Sequence, residues 1–265
     1  MNEAPPISGQ SLELPWGPDA TLKLELPSDL LARGPDVVWP VLNGQLEDYV
    51  ATVEDALGAP LGSLPLERLV GDGSTVALVV DDPSRWTPVS QALPILLRRL
   101  HAAGVRPDDV TISVGVGRHH AVDDSAMQRR VGDEIVKRYT CHSPPVDDLA
   151  AYDHLGTTPR GVPVWVFRPV ARANLRILVG SVLPHLQAGF GGGYKLIFPG
   201  TSHRSTLGAL HRQGLTGEGD AQRLLGGDPA NNPMRQAIGE AAGLLGPCFS
   251  MSHLLGGPGQ ILRVL

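Results

Sequence analysis

Short apolar runs alternate with segments of helical periodicity along most of the chain. Residues 75–80 (TVALVV) form a continuous, mostly β-branched run, and residues 110–116 (VTISVGV) form a second one. Such runs are typical of buried strands. Between them, residues 91–103 place leucines on one helical face, and Gly104 follows as a stop signal. The pattern predicts a strand, a helix and a strand in succession.

The same alternation continues towards the end of the sequence. Strand-like runs occupy residues 164–167 (VWVF) and 175–179, and residues 234–245 have the spacing of an amphipathic helix. Near the start, residues 46–57 are helix-like, and residues 11–27 alternate apolar and polar positions around a Gly-Pro-Asp turn. We therefore expect an α/β fold with a mainly parallel sheet, flanking helices and a short N-terminal β-hairpin.

Polar and titratable residues follow three of the predicted strands. Residues 81–85 (DDPSR), 117–120 (GRHH) and 181–185 (SVLPH) each come directly after an apolar run. Each cluster alone has a simpler interpretation, as a turn ion pair in the first and as structural histidines in the other two. In open α/β sheets, however, the carboxyl ends of the strands form the edge at which ligands bind. Their convergence on that edge favours a binding or catalytic site.

A glycine-rich loop joins His185 to Lys195 in the stretch HLQAGFGGGYK. Glycine allows a backbone to approach a ligand closely and to adopt positive φ. The loop does not match the phosphate-binding pattern, because Tyr194 precedes the lysine and Leu196 follows it where a glycine and a hydroxyl residue are needed. It does not match the dinucleotide fingerprint either. A plain flexible loop is the alternative to a ligand-binding one.

Composition places the chain among globular proteins. Its 265 residues are 42% hydrophobic and 18% charged, enough for one large domain or two small ones. A net charge of -5 argues against nucleic acid as a main partner. Two cysteines favour a reducing compartment, the start lacks signal-peptide features, and the longest apolar runs are too short to cross a bilayer. We expect a cytoplasmic protein without a membrane partner.

The nine histidines raise the question of a metal site. No cysteine pair at zinc spacing and no H-E-x-x-H sequence is present, so a conventional zinc site has little support. His203 and His211 lie after the glycine loop, and His211 falls in a helix-like segment where a structural histidine is the alternative. A single imidazole can still bind a metal whose other ligands belong to a cofactor.

Several segments together resemble the N-terminal part of the nickel-pincer lactate racemase family. They occur in the family's order and cover almost the whole chain, so residues 1–265 are interpreted as one cofactor-bearing N-terminal domain. The segments are ELPWG (13–17), D-x-S-R-x-x-P (82–88), G-R-H (117–119), LGTTPRGVPV (155–164), PHLQAGFGGGYKLIFPG (184–200), His211 and NPMRQAIGEAA (232–242).

The resemblance implies a nickel-pincer nucleotide as cofactor. The lysine at the end of the family's glycine loop, here Lys195, tethers this nucleotide covalently. A later histidine, here His211, binds the nickel that two sulfurs and one carbon of the cofactor also hold. The loop glycines would lie against the nucleotide. The further cofactor-binding positions are Asp82, Ser84, Gly191, Gly192 and Gly193.

The resemblance also implies the chemistry of a 2-hydroxy acid racemase or epimerase. Inversion can proceed by removal of the C2 hydride, formation of a flat keto acid and return of the hydride to the other face. Side chains cannot accept hydride, so a cofactor must. Histidines matching His119 and His185 act as paired acid and base for the hydroxyl, a role that suits imidazole. Arg85 is expected to face the substrate carboxylate, which is compatible with lactate, larger hydroxy acids, malate-like diacids and sugar acids.

Two departures from the family pattern matter. The family loop usually reads A-G-F-S-G-G-[RK]-K, whereas Gly191 replaces the serine here and Tyr194 replaces the basic residue. Family members also continue into a C-terminal domain, which these residues do not include. We therefore expect either a fragment or a half-protein whose partner is a separate C-terminal domain chain, besides the cofactor-making proteins and a small 2-hydroxy acid.

Two classes of function follow. One is a racemase whose isolated N-terminal chain has little or no turnover, and the other is a cofactor-binding or regulatory module.

Overall fold

The computed structural model describes residues 7–8, 11–15, 20–33, 44, 46–215, 228–257 and 259–265. Its strands are β1 (Ile7–Ser8), β2 (Ser11–Pro15), β3 (Thr21–Glu25), β4 (Val76–Asp81), β5 (Val110–Gly115), β6 (Thr140–His142), β7 (Tyr152–Thr157), β8 (Pro163–Phe167), β9 (Leu175–Val182), β10 (Pro184–His185), β11 (Gly189–Phe190), β12 (Cys248–Gly257) and β13 (Gln260–Val264).

The described α-helices are α1 (Ser28–Ala32), α2 (Tyr49–Gly58), α3 (Val89–Ala102), α4 (Asp124–Val131), α5 (Asp133–Arg138), α6 (Arg168–Arg172), α7 (Arg204–Gln213) and α8 (Pro233–Gly243). Short 3-10 helices lie at Leu66–Arg68, Pro107–Asp109, Leu149–Ala151, Gly193–Leu196 and Pro229–Asn231. Among these helices, none combines the length and the apolar character that a bilayer crossing needs.

A six-stranded sheet organises the fold in the order β13-β12-β9-β4-β5-β6. The strands from β12 to β6 run parallel to their neighbours, and β13 pairs antiparallel with β12. The chain passes from β4 through β5 to β6 and then returns to β9 on the other side of β4. The strand order thus reverses between β4 and β9, which is where α/β sheets form ligand crevices.

Both faces of the sheet are covered, because successive side chains of a strand point to opposite faces. In β4, Val76, Leu78 and Val80 pack into one apolar cluster with helices α2 to α5. Ala77 and Val79 face the other cluster, which α6, α7, α8 and β8 complete. The continuous apolar run in β4 is therefore explained by burial on both sides. The predicted mainly parallel α/β fold is confirmed.

The predicted N-terminal hairpin is also confirmed. β2 and β3 pair antiparallel, with Leu12 opposite Leu24 and Leu14 opposite Leu22, and β1 adds a third strand. The Gly-Pro-Asp turn expected between β2 and β3 lies outside the described residues. Helix α2 begins at Tyr49, three residues later than predicted, because the Asp48 side chain accepts a hydrogen bond from the Ala51 N–H as an N-cap.

Strands β8 and β12 show how the structure differs from the sequence-based expectation. The predicted strand at residues 164–167 exists as part of β8, but β8 pairs antiparallel with β7 in a separate two-stranded sheet. Strand β12 was not predicted, since Ser250, Ser252 and His253 interrupt its apolar pattern. His253 is fully buried there. Its Nδ1 donates to the Gly180 carbonyl at 3.1 Å, and its Nε2 is 2.9 Å from the Tyr49 hydroxyl.

Candidate functional site

A cavity of about 190 Å³ opens at the carboxyl ends of β4, β5 and β9, at the point where the strand order reverses. The structure thus brings the three polar clusters predicted from the sequence to one edge, together with the glycine loop. Ser84 and Gly193 do not line the cavity. The predicted site residues that line it are Asp82, Arg85, His119, His185, Gly191, Gly192, Lys195 and His211.

Asp82 is the centre of a hydrogen-bonded group on one side of the cavity. Its Oδ1 accepts from the Ser84 backbone N–H at 2.9 Å and lies 3.1 Å from His119 Nδ1, and its Oδ2 is 3.9 Å from Arg85 Nε. Burial alone would raise the pKa of Asp82, but the hydrogen bonds from Ser84 and the charge of His119 outweigh burial and lower it. Ser84 therefore acts by holding an ionised Asp82, while Arg85 reaches the cavity.

Beneath this group lies a buried ion pair that the sequence did not reveal. Arg130 on α4 is only 8% exposed and pairs with Asp81 at the end of β4. Its guanidinium also donates to the carbonyls of Asp81 at 2.8 Å and of Arg85 and Thr87 at 3.0 Å. Asp81 in turn accepts from the Thr87 hydroxyl at 2.6 Å. Arg130 therefore stabilises the loop that carries Asp82 and Arg85.

His119 enters the site from the turn after β5. Gly117, at a φ of 54°, donates its N–H to the Gly200 carbonyl, and the His119 N–H closes the turn on Val116. The carboxylate of Asp82 can only accept, so its contact places the neutral ring's proton on His119 Nδ1. The Nε2 lone pair of His119 is therefore left to accept a proton.

His185 lies in the β10–β11 hairpin, opposite Gly189. Its Nδ1 accepts the backbone N–H groups of Gln187 and Ala188, each at 3.2 Å, so the neutral ring carries its proton on Nε2. Burial, helped by the positive charge of Lys195, lowers the pKa of His185 to about 4. The two histidines therefore present opposite groups, an acceptor at His119 and a donor at His185.

The loop glycines pack against the chain's own backbone. A Cβ on Gly192 would lie 3.0 Å from the Ser181 carbonyl oxygen, and its φ is 74°. A Cβ on Gly191 would lie 3.4 Å from the same oxygen, which is an ordinary van der Waals contact, so the backbone leaves room for the serine of the family pattern. Gly193 has open space but a φ of 56°. Tyr194 is exposed and does not line the cavity. The backbone structure therefore explains why glycine is favoured at positions 192 and 193, whether or not a ligand binds.

Lys195 lies in the 3-10 helix that follows the glycines, and its half-buried side chain lines the cavity. Within the described ranges, the structure gives its amine no carboxylate partner. Burial lowers the pKa of Lys195 to about 8, and the charges of Arg235 and Arg85 act in the same direction. The lowered pKa gives this amine a larger neutral fraction near neutral pH than an exposed lysine has, which makes it a better nucleophile.

His211 reaches the cavity from α7. Its Nδ1 is 2.8 Å from the Leu207 carbonyl oxygen, which can only accept, so the neutral ring's Nε2 is unprotonated and able to bind a metal. Burial lowers the pKa of His211, opposing protonation of that nitrogen. His203 instead begins α7 as its N-cap and does not line the cavity. Among the described residues, no three His, Cys, Asp or Glu side chains form a metal-binding group.

The first turn of α8 supports the glycine loop from outside the cavity. Asn232 donates from its side chain to the Gln187 carbonyl at 2.9 Å. Arg235 donates to the carbonyls of Ala188, at 3.4 Å, and Phe190. The sequence placed both residues in a family-like segment but gave neither a role, because nothing in a helical pattern shows which loop a helix end will meet.

Comparisons with known proteins agree with this architecture. Residues 19–222 match the family model described as the lactate racemase N-terminal domain. The chain is 32% identical over 161 residues to a lactate racemase of Lactiplantibacillus plantarum, covering 60% of this chain and 38% of the relative. It is 23% identical over 207 residues to a lactate racemase of Thermoanaerobacterium thermosaccharolyticum, covering 76% and 46%. The chain thus spans less than half of either curated relative.

Solved structures share the fold. The lactate racemase apoprotein from Thermoanaerobacterium thermosaccharolyticum superposes with a TM-score of 0.75 at 21% identity, covering 96% of this chain and 58% of that one. A protein from Thermotoga maritima superposes with a TM-score of 0.65 at 18% identity, covering 85% and 55%. At such identities the likeness establishes the fold alone.

Proposed function

Because the chain belongs to the lactate racemase N-terminal domain family, we propose that it is the cofactor-bearing part of a 2-hydroxy acid racemase or epimerase. One observation carries the proposal. The cavity joins a half-buried lysine amine that has no acid partner in the described structure to an imidazole whose Nε2 is unprotonated. These are the groups needed to tether an organic cofactor and to complete the coordination of its metal.

The residues present fit a nickel-pincer nucleotide. Lys195 would hold it covalently, and His211 would supply one borderline nitrogen ligand to a nickel ion whose other ligands come from the cofactor. The absence of a three-residue ligand group among the described residues is compatible with such an arrangement. When bound, the cofactor accepts and returns the C2 hydride, which no side chain can do.

The chain's own residues would bind the substrate and move its hydroxyl proton. Arg85, 41% exposed beside the cavity, would bind the substrate carboxylate. His119, fixed by Asp82, would accept the hydroxyl proton at Nε2, and His185 would donate a hydrogen bond from its Nε2 to the oxygen of the other enantiomer's pose. For the reverse reaction His185 would act as the base, in the tautomer that carries its proton on Nδ1 and leaves Nε2 free. A C-terminal domain, in the same protein or a separate chain, would exclude water.

Production of the chain together with cofactor-making enzymes tests the proposal. Intact mass and peptide mapping should show an adduct on Lys195, and metal analysis should show nickel. Lys195→Ala should abolish the adduct, because the described residues bring no other amine to the cavity, whereas Lys137→Ala should leave it unchanged. His211→Ala should lose nickel and keep some organic adduct. An adduct that persists in Lys195→Ala would refute the assigned tether.

Racemisation assays separate turnover from simple cofactor binding. The loaded chain should be inactive or nearly so alone, and should racemise a 2-hydroxy acid when a C-terminal domain from a relative is supplied. Loading without turnover under both conditions would instead support the alternative function, a cofactor-binding or regulatory module. Testing lactate, a larger hydroxy acid, a malate-like diacid and a sugar acid in parallel would define the substrate class.

A further inference from the structure

The segment between His185 and Lys195 is held from two directions. The ring of His185 accepts the N–H groups of Gln187 and Ala188. The carbonyls of the same two residues accept hydrogen bonds from Asn232, the N-cap of α8, and from Arg235 in its first turn. The same peptide segment is therefore tied to the cavity through its N–H groups and to α8 through its carbonyls.

Arg235 makes the most extensive of these contacts. Its guanidinium donates to two carbonyls of the loop, those of Ala188 and Phe190. Helix α8 begins just before Arg235, because the Asn232 side chain accepts a hydrogen bond from the Arg235 N–H at 2.9 Å as the N-cap. Asn232 itself is 2% exposed. A planar guanidinium that bridges two carbonyls fixes their separation and orientation, which a lysine ammonium cannot do.

Arg235 also shapes the charge around Lys195. The groups that face this amine are the charged Arg85 from the loop after β4, the charged Arg235 from α8, and the titratable His185 and His211. The carboxylates of the cavity belong to the other wall, where they contact Arg130, Arg85 and His119. Removal of Arg235 would therefore take away both the support of the loop and a neighbouring positive charge.

We propose that Arg235 is a positioning residue, which fixes the glycine loop and thereby presents the Lys195 amine for acylation. The inference rests on the proposed function only in taking Lys195 as the point of covalent attachment. It assigns Arg235 no contact with substrate or cofactor.

The lysine content of the chain provides a direct test, because Lys23, Lys137 and Lys195 are its only lysines. Trace acetylation by acetic anhydride at one neutral pH labels all three in the same sample. The amine lone pair attacks a carbonyl carbon, the C–O bond breaks, acetate leaves with the bonding pair, and the ammonium proton passes to the buffer. Peptide mass spectrometry then gives the ratio of labelling at Lys195 to labelling at exposed Lys137.

In Arg235→Gln, the Lys195 to Lys137 ratio should fall on the order of three- to tenfold, because the amine loses a cationic neighbour and its fixed position. Arg235→Lys keeps the charge but not the two-carbonyl bridge, so it should restore the ratio only in part. Asn232→Asp keeps the cap oxygen for the Arg235 N–H and removes the amide donor to Gln187, and should give a smaller fall.

Arg160→Gln is the matched control. Arg160 contacts the same helix through Glu240 and Gln236, at 2.8 and 2.7 Å, but does not touch the loop. It should leave the ratio unchanged. Amide hydrogen exchange supplies a readout that does not depend on the protonation of the Lys195 amine. The two amides to follow are the Gly191 N–H, which donates to the Leu183 carbonyl at 2.7 Å, and the Lys195 N–H, which donates to the Gly192 carbonyl at 3.2 Å. Both amides should exchange faster, by about tenfold, in the two Arg235 variants.

An unchanged or higher labelling ratio in folded Arg235→Gln would overturn the proposal, as would unchanged exchange at Gly191 and Lys195. Unfolding midpoints establish that the variants are folded, and should Arg235→Gln fail to fold, Arg235→Lys and Asn232→Asp decide the question by the same two readouts. None of these measurements uses the cofactor. A wild-type chain that never loads cofactor would therefore defeat the proposed function while the labelling ratio still tests the role of Arg235.

Discussion

The two walls of the cavity differ in how their charges are paired. On the wall formed after β4 and β5, Asp82 contacts His119 and Arg85, and Asp81 contacts Arg130. On the wall formed by the glycine loop and α7, the nitrogen groups of His185, Lys195 and His211 lie beside other cations. The structure pairs none of these three with a carboxylate in the ranges that it describes.

This difference separates two kinds of chemistry. The paired wall keeps ionised groups in place, which suits recognition of a charged substrate and proton transfer. The unpaired wall lowers the pKa of its lysine and histidines through burial and neighbouring positive charge, which favours neutral nitrogens. Neutral nitrogens are the forms that attack an acyl carbon and bind a metal. Four expected results, described from the largest effect to the smallest, test this contrast.

The largest effect is expected from breaking the buried pair under the paired wall. Arg130→Met would leave Asp81 without its cationic partner and three loop carbonyls without a donor, and should lower the free energy of unfolding by about 3–5 kcal/mol. Urea unfolding measures the change. Arg129→Met, one residue away and exposed, should change it little. The double variant with Asp81→Asn should lose less than the two single variants together, and strict additivity would contradict the coupling.

Arg130 also shows where prediction from the sequence ends. The strands β4, β5 and β9 and the polar residues after them followed from apolar runs and their boundaries, so the position of the site was predictable. The adjacent residues Arg129 and Arg130 look alike in the sequence, but one residue on a helix rotates a side chain by about 100°, so one is exposed and the other buried. The choice of the cation that supports the site depends on which loop a helix packs against. The pattern of apolar and polar residues does not specify this packing.

The glycine loop is a second example of what the sequence could not predict. Its glycines indicated that the backbone closely approaches another group. The structure identifies the Ser181 carbonyl as one such neighbour of Gly191 and Gly192. Composition could not distinguish packing against a strand from packing against a ligand. The roles of Lys195 and His211 came from resemblance, whereas the lowered pKa of Lys195 and the tautomer of His211 required the fold.

The second expected effect concerns one histidine from each wall. In the cofactor-loaded enzyme completed by a C-terminal domain, His119→Ala and His185→Ala should each reduce racemisation on the order of 10²-fold or more in both directions, because the base for one enantiomer is the acid for the other. Initial rates from each pure enantiomer measure this. His120→Ala is the control, since His120 does not line the cavity. A variant that retains both rates would remove its histidine from proton transfer.

The third effect is a pH-dependent stability difference at Lys195. An unfolded lysine holds its proton up to about pH 10.4, whereas folded Lys195 loses it near 8, so between these values the unfolded state binds more protons. The cost of burying the charge is therefore fully present at pH 7 and is relieved as the pH rises from 8 towards 10. Lys195→Met should be more stable than the parent by about 2 kcal/mol at pH 7, and the gap should close at high pH. Urea unfolding of both proteins across this pH range measures the difference in their free energies of unfolding. A difference that grows as the pH rises would contradict the prediction.

The most direct test of the contrast is the pH at which the Lys195 amine loses its proton. Competitive acetylation at a series of pH values, read by peptide mass spectrometry, gives this midpoint with Lys137 as an internal reference. We predict a midpoint near 8 for Lys195, whereas the hydrogen-bonded ion pair with Glu134 raises the pKa of Lys137 above its ordinary value. Titration of Lys195 at or above Lys137 would contradict it, because the neutral fraction of the Lys195 amine near neutral pH would then be no larger than that of an exposed lysine.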